Sequence, residues 1–286
     1  MKICRYIANN DPARAPRLGL WTDEGIRDVT AVTEALPALR WPLPPGDQLI
    51  ANLAALRGPI EALAAKAALL ARDAVTLLSP VANPGKFVCG AGNWKFHGAP
   101  LGVMGFMFKA SSALSGEGEN VQIRWTDRNT LHEPELAIVI GRECSNVTEA
   151  EALDYVAGYT CALDMTLERA NEDYAFCKSF DTYGMLGPCL VTADEIADPS
   201  ALGYRFWVND ELRGERSFAD LTGSPAQLIA FASSAMTLYP GDLILSGAAD
   251  VAPVAVGDSM TLEIPGIETL RTRVVRSAKA RQDHQP

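Results

Sequence analysis

The apolar positions of this chain fall mostly into short runs, few of them with the spacing of a helix. Residues 136–140 (Leu136-Ala137-Ile138-Val139-Ile140) are continuously apolar, which predicts a strand buried on both faces. Gly158-Tyr159-Thr160-Cys161-Ala162-Leu163 predicts a second strand, closed by Asp164. Near the start, residues 2–8 and 17–21 predict strands, and the second turns through Asp23-Glu24-Gly25 into residues 26–29, with a helix to follow. Residues 86–90, 106–109, 243–246, 260–264 and 269–275 read as further short strands. Asn209-Asp210, between residues 204–208 and 211–213, predicts a hairpin turn.

Helical signals are fewer. Residues 51–71 are rich in Ala and Leu but interrupted by Gly58-Pro59, which predicts two helices with a break. Thr148 with Glu151 three residues on forms a capping box and predicts a helix over 148–156. Ser224-Pro225 opens a helix running through Met236, ended by Pro240-Gly241-Asp242. Many short strands with a few helices predict an α+β fold with a mainly β core. The Pro- and Gly-rich stretch 77–85 is the best linker, so the boundary is expected near residue 80. That gives a small N-terminal α/β domain over 1–80 and a larger domain over 81–286.

Composition narrows the class. At 286 residues, with 48% hydrophobic and 21% charged residues, the chain can bury a substantial core and is not disordered. A net charge of −10 argues against nucleic acid or an anionic membrane as partner and points to a small molecule. No run reaches the ~18 apolar residues of a membrane span. The N-terminus lacks a signal-peptide pattern, so a cytoplasmic protein is expected. The six cysteines form no C-x-x-C pair and read as reduced, mostly buried small hydrophobes. Only three histidines are present, and His284 lies in a polar tail, which argues against a histidine-rich metal site.

The chemistry concentrates in carboxylates. Glu133 and Glu135 are two apart on a strand and project to the same face, beside Ala137 and Val139. E-x-E alone fits a polar strand edge, but the apolar run that follows places this pair against a buried strand. Burying like charges there costs several kcal/mol unless a cation or a donor network compensates. A divalent metal does both, and Asp164 from a neighbouring strand would complete an all-oxygen set. Such a set suits magnesium, manganese or calcium rather than zinc. His132, the next residue on the strand, should face the other way and is left out.

The order Asn93-Trp94-Lys95-Phe96-His97, Phe108-Lys109, Glu133-x-Glu135 with its apolar run, Gly158-Tyr159-Thr160, Asp164, Lys178-Ser179-Phe180-Asp181-Thr182, Leu186-Gly187-Pro188 and Pro240-Gly241-Asp242 resembles the fumarylacetoacetate hydrolase superfamily over about residues 84–275. The resemblance implies a β-roll catalytic domain behind a small N-terminal domain, assembled as a homodimer. It implies magnesium or manganese on Glu133, Glu135 and Asp164. Substrates would be 1,3-dicarbonyl compounds such as β-diketones, or 2-oxo acids, reacting through an enolate by C–C hydrolysis, decarboxylation or tautomerisation. His97 is the candidate general base and Lys178 the cation at the substrate oxygens. Asn93, Lys109, Arg169, Asp181 and Gly247 are the candidate substrate-binding positions. The apolar loop 101–108 would leave an exposed patch on a monomer, in line with a homodimer.

The departures bear on the reaction. Hydrolases of this superfamily carry a glutamate three residues after the histidine, where this chain has Gly98-Ala99-Pro100. The arginine four residues after the aspartate is replaced by Glu168, with Arg169 one place later. The Gly-Thr-Pro segment is replaced by Ser246-Gly247-Ala248-Ala249, which removes a hydroxyl. C–C hydrolysis of an acylpyruvate-like intermediate is the leading expectation. A decarboxylase or a tautomerase/isomerase is the alternative, and a non-catalytic homologue a further one.

Overall fold

The computed structural model describes residues 1–103 and 105–281. Met104 of the apolar loop and the tail that carries His284 lie outside the described residues. The architecture is α+β with a mainly β core. Its centre is a twelve-stranded sheet in which Pro134–Ile140 lies between Val156–Asp164 and Leu243–Leu245. A three-stranded sheet joins Thr166–Leu167, Thr130–His132 and Ala252–Val254, and a five-stranded sheet runs from Glu211–Ser217 to Val121–Trp125.

Every residue of Pro134–Ile140 is buried, as the uninterrupted apolar run predicts. The alternation of side chains divides it between two cores. Leu136, Ile138 and Ile140 enter the one that includes Leu228, Ile229 and the inner face of the five-stranded sheet. Ala137 and Val139 enter the one that includes Ile50, Leu53, Leu56 and Ile60 of the N-terminal helix. Residues of the first 80 are continuous with the central sheet: Lys2–Ala8 pairs antiparallel with Gly184–Thr192, Ile3 opposite Leu190.

Three helical expectations are corrected. The 51–71 segment is one helix, Gln48–Ala64, with Pro59 inside it. Pro59 and Ala55, whose carbonyl loses its helical donor, are both exposed, so water satisfies the group. The buried stripe Ile50, Leu53, Leu56, Ile60 and Ala64 holds the two halves in line, and Asp47 caps the start through Leu49 N and Ile50 N. The helix at 148 forms its capping box but spans only Glu149–Ala152, followed by a 3-10 turn, Leu153–Tyr155. The helix after residue 29 is likewise a 3-10 segment, Thr30–Ala35. At the hairpin, Asn209 and Asp210 take φ of 50° and 66°, the left-handed pair that a two-residue turn requires. No helix among the described residues is long and apolar enough to cross a membrane.

Candidate active site

The antiparallel pairing of Pro134–Ile140 with Val156–Asp164 sets Pro134 opposite Leu163. Asp164 N donates to Glu133 O at 2.9 Å, so two strand ends meet and deliver all three carboxylates to one point. Ligand atoms of Glu133, Glu135 and Asp164 lie within 4.8 Å of one another, with Glu135 and Asp164 fully buried.

Cations and a hydroxyl surround them. The short helix Tyr174–Cys177 ends at Lys178, whose Nζ donates to Asp164 Oδ2 at 2.6 Å, to Glu133 Oε2 at 2.9 Å and to Thr166 Oγ1 at 2.9 Å. Thr166 donates in turn to Glu133 Oε1 at 2.6 Å. Lys109 Nζ pairs with Asp164 Oδ1 at 2.5 Å and donates to the carbonyls of Met165 and Lys178. Burial alone would lower the Lys178 ammonium, but Asp164 and Glu133 together outweigh it and hold its pKa well above the usual lysine range. Burial would likewise raise Asp164, yet Lys109 and Lys178 hold it below the ordinary carboxylate value. Glu135 forms no ion pair among the described residues, although Lys178 opposes its shift from a distance. Burial first, then Asp164 and Glu133, push it well above 4.5. Burial also raises Glu133, opposed by Lys178.

This arrangement fits a divalent cation. Glu135 receives one donor, Gly247 N–H on Oε2, while Glu135 Oε1 is buried with no hydrogen-bond partner. Asp164 Oδ1 has its ion pair with Lys109 but no hydrogen-bond geometry. A buried carboxylate oxygen without a partner, Glu135 Oε1, beside two more carboxylates is what a hard cation satisfies.

A cavity of ≈ 410 Å³ opens above the cluster. Glu133, Thr166, Lys178, His97, Arg169 and Tyr174 give it polar walls, and Met107, Leu131, Ala248 and Val251 give it apolar ones. A larger cleft of ≈ 590 Å³ around residues 36–49 has leucines, prolines, Arg5, Arg17 and Asp47 in its walls and, among the described residues, no comparable acidic cluster. His97 is exposed at the mouth, its ring tilted 44° against Phe96 with centroids 4.4 Å apart. The Arg169 guanidinium lies 5.1 Å over the Tyr174 ring. Its loop is anchored on both sides: Asn129 Nδ2 donates to Glu168 at 2.8 Å and Arg128 to Glu172 at 2.7 Å.

The other candidates lie differently. Asn93 is buried, but its amide donates to the carbonyls of Gly223 and Ser246 and accepts from Gly223 N–H, so it ties loops beneath the cavity. Asp181 pairs with Arg124 and is not among the cavity's lining residues. Gly247 takes φ +92°, and a Cβ there would come within 2.8 Å of Gly90 O, so its backbone faces Glu135 at a position only glycine fills well. His132 is buried against Phe206 with both ring nitrogens unpaired, away from the carboxylates' face. Thr166 and Tyr174 escaped the sequence reading. Thr166 opens the strand that follows Asp164, two residues on, and its hydroxyl returns to Glu133 and Lys178.

The family model described as fumarylacetoacetate (FAA) hydrolase C-terminal matches residues 90–275. A maleylpyruvate hydrolase of Aquipseudomonas alcaligenes is 42% identical over 97% of this chain and 100% of its own length. A mitochondrial oxaloacetate tautomerase of Xenopus laevis is 33% identical over 86% of this chain and 79% of its own. The crystal structure of maleylpyruvate hydrolase from Sphingobium sp. SYK-6, in complex with manganese(II) ion and pyruvate, superposes with a TM-score of 0.83 at 34% identity, covering 97% of this chain and 100% of that one.

Proposed function

The chain belongs to the fumarylacetoacetate hydrolase family, and from that premise we propose that it is a divalent-metal-dependent hydrolase cleaving the C–C bond of an acylpyruvate, a 2-oxo acid that is also a 1,3-dicarbonyl. The observation that carries this reading is the cavity: Glu133, the Lys178 ammonium and the His97 imidazole line one space of small-molecule size, and Glu135 and Asp164 lie buried behind Glu133 with ligand atoms within 4.8 Å of its own.

Glu133, Glu135 and Asp164 would hold magnesium or manganese, with calcium also suited to the oxygen set. When bound, the metal supplies Lewis-acid polarisation of the 2-oxo acid oxygens. The chain's own groups supply the rest. His97 takes a proton from the water that attacks the acyl carbonyl. The C–C bond then breaks, its electrons pass to the pyruvyl fragment as an enolate, and Lys178 stabilises the developing negative oxygen. Return of the proton to carbon gives pyruvate beside the free acid. Arg169, with no ion-pair partner among the described residues, binds a substrate carboxylate at the mouth, and Lys109 holds Asp164.

Tautomerisation of a 2-oxo acid is the second reading. His97 is exposed, and no described carboxylate hydrogen-bonds its ring, which favours chemistry that needs no activated water. Mass spectrometry of products from a panel of acylpyruvates, oxaloacetate and β-diketones with added manganese decides between them. Pyruvate plus an acid supports hydrolysis, and an isomer of unchanged mass supports tautomerisation.

The same reading includes a homodimer, supported by Phe96, Val103 and Phe108, which are 61%, 68% and 42% exposed. Six free, buried cysteines support a reducing, cytoplasmic setting.

A further inference from the structure

Gly247, whose N–H meets Glu135, begins a loop that is gripped from the far side of the fold. Trp94 Nε1 donates to Gly247 O at 2.8 Å. Three residues on, Asp250 Oδ2 accepts from the Tyr204 hydroxyl at 2.7 Å, and Asp250 Oδ1 pairs with Arg216 at 2.6 Å. Tyr204 and Arg216 belong to the hairpin strands Gly203–Val208 and Glu211–Ser217 of the five-stranded sheet, and neither lines the cavity. The Asp250 side chain is only 10% exposed. It seats against Gly214, where a Cβ would lie 2.2 Å from Asp250 Oδ2, so the contact requires glycine at that position. Tyr204 is itself buried, edge-on to Trp94 at 6.3 Å and packed on Phe218 at 5.8 Å.

The loop therefore connects the hairpin to the carboxylates by two routes. At one end Gly247 N–H fixes Glu135 Oε2 and leaves Oε1 without a donor. At the other, Ala252 pairs with His132, the residue before Glu133. Between them Ala248 and Val251 form part of the cavity wall.

We propose that Asp250, held by Tyr204 and Arg216, is a positioning residue that fixes the loop 247–251 and, through Gly247 N–H, the orientation of the Glu135 carboxylate for metal binding. The proposal rests on the reading of Glu133, Glu135 and Asp164 as the metal ligands. A carboxylate with a single donor keeps its orientation only as well as that donor is held. Groups that orient metal-ligating side chains are typically worth about 10–100-fold in affinity.

The test is titration of the full chain with manganese(II), followed by electron paramagnetic resonance of the free ion. Tyr204→Phe removes one hydroxyl and keeps the ring packing, so it should fold; Asp250→Ala removes the whole contact. Both are expected to raise the manganese Kd by about tenfold or more. The double variant should match Asp250→Ala alone, because both changes break the same latch. Arg205→Ala, which breaks the surface pair Arg205–Glu215 on the same two strands, should leave the Kd unchanged. Wild-type affinity in both Tyr204→Phe and Asp250→Ala overturns the latch. Absence of manganese binding by the wild-type chain overturns the metal reading itself.

Discussion

Lys178 Nζ lies 2.6 Å from Asp164 Oδ2, in a pair almost wholly withdrawn from water. An ammonium this close to two carboxylates competes with a metal for the same oxygens, yet it also presents the positive charge that an enolate needs. Lys178→Met is therefore expected to bind manganese at least as tightly as wild type while losing about 10²–10³-fold in kcat. Calorimetric titration and steady-state kinetics on the same preparation check both halves. Loss of metal binding would make Lys178 a structural prop rather than a catalytic group.

Glu135→Gln should separate folding from metal binding. Its carboxyl is pushed up by burial and by Asp164 and Glu133, so a neutral amide relieves cost in the metal-free protein. The metal-free variant should melt above metal-free wild type. Added manganese should raise the wild-type Tm and move the variant little, with affinity weakened by more than about tenfold. Equal manganese-induced shifts in thermal melts would count against Glu135 as a ligand.

His97→Ala should lower kcat by about 10²–10⁴-fold with the manganese Kd unchanged, since His97 faces the cavity but touches no carboxylate of the cluster. A variant that keeps most of its activity would favour the tautomerase reading.

Glu117 supplies a pH dependence remote from the site. Burial raises its pKa to about 7 from 4.5, against the opposing hydrogen bond from Arg271 N–H. A carboxyl raised on folding binds more protons in the native state, so its contribution to stability falls as pH rises from about 4.5 through 7. Glu117→Gln should be more stable than wild type by about 1–3 kcal/mol at pH 8 and nearly equal to it at pH 5. Urea unfolding at the two values checks the sign, and an equal difference at both would refute it.

Much of the site was legible because the chemistry is local. The carboxylates sit at the ends of apolar runs, and the spacing of Glu133 and Glu135 states their common face. What was not legible depends on long-range contacts. The partners that bind Asn93 to the backbone are 130 and 153 residues away, so its tie between loops left no trace in its own motif. Asp181 lies in the same short motif as Lys178 but turns to Arg124, because the motif follows the end of a one-turn helix and its residues diverge. Pro59 reads as a helix break only when burial is ignored. Its exposure, and the apolar stripe on the opposite face, let the helix continue.

Hydrolysis of a C–C bond at this cavity places an oxygen atom from water in the acid product, so oxygen-18 water reads the reaction directly. With manganese and an acylpyruvate, the expected products are pyruvate and an acid that carries one solvent-derived oxygen-18 in its carboxylate. Release of carbon dioxide, or a tautomer that retains every carbon, with no label entering a carboxylate product, would contradict hydrolysis.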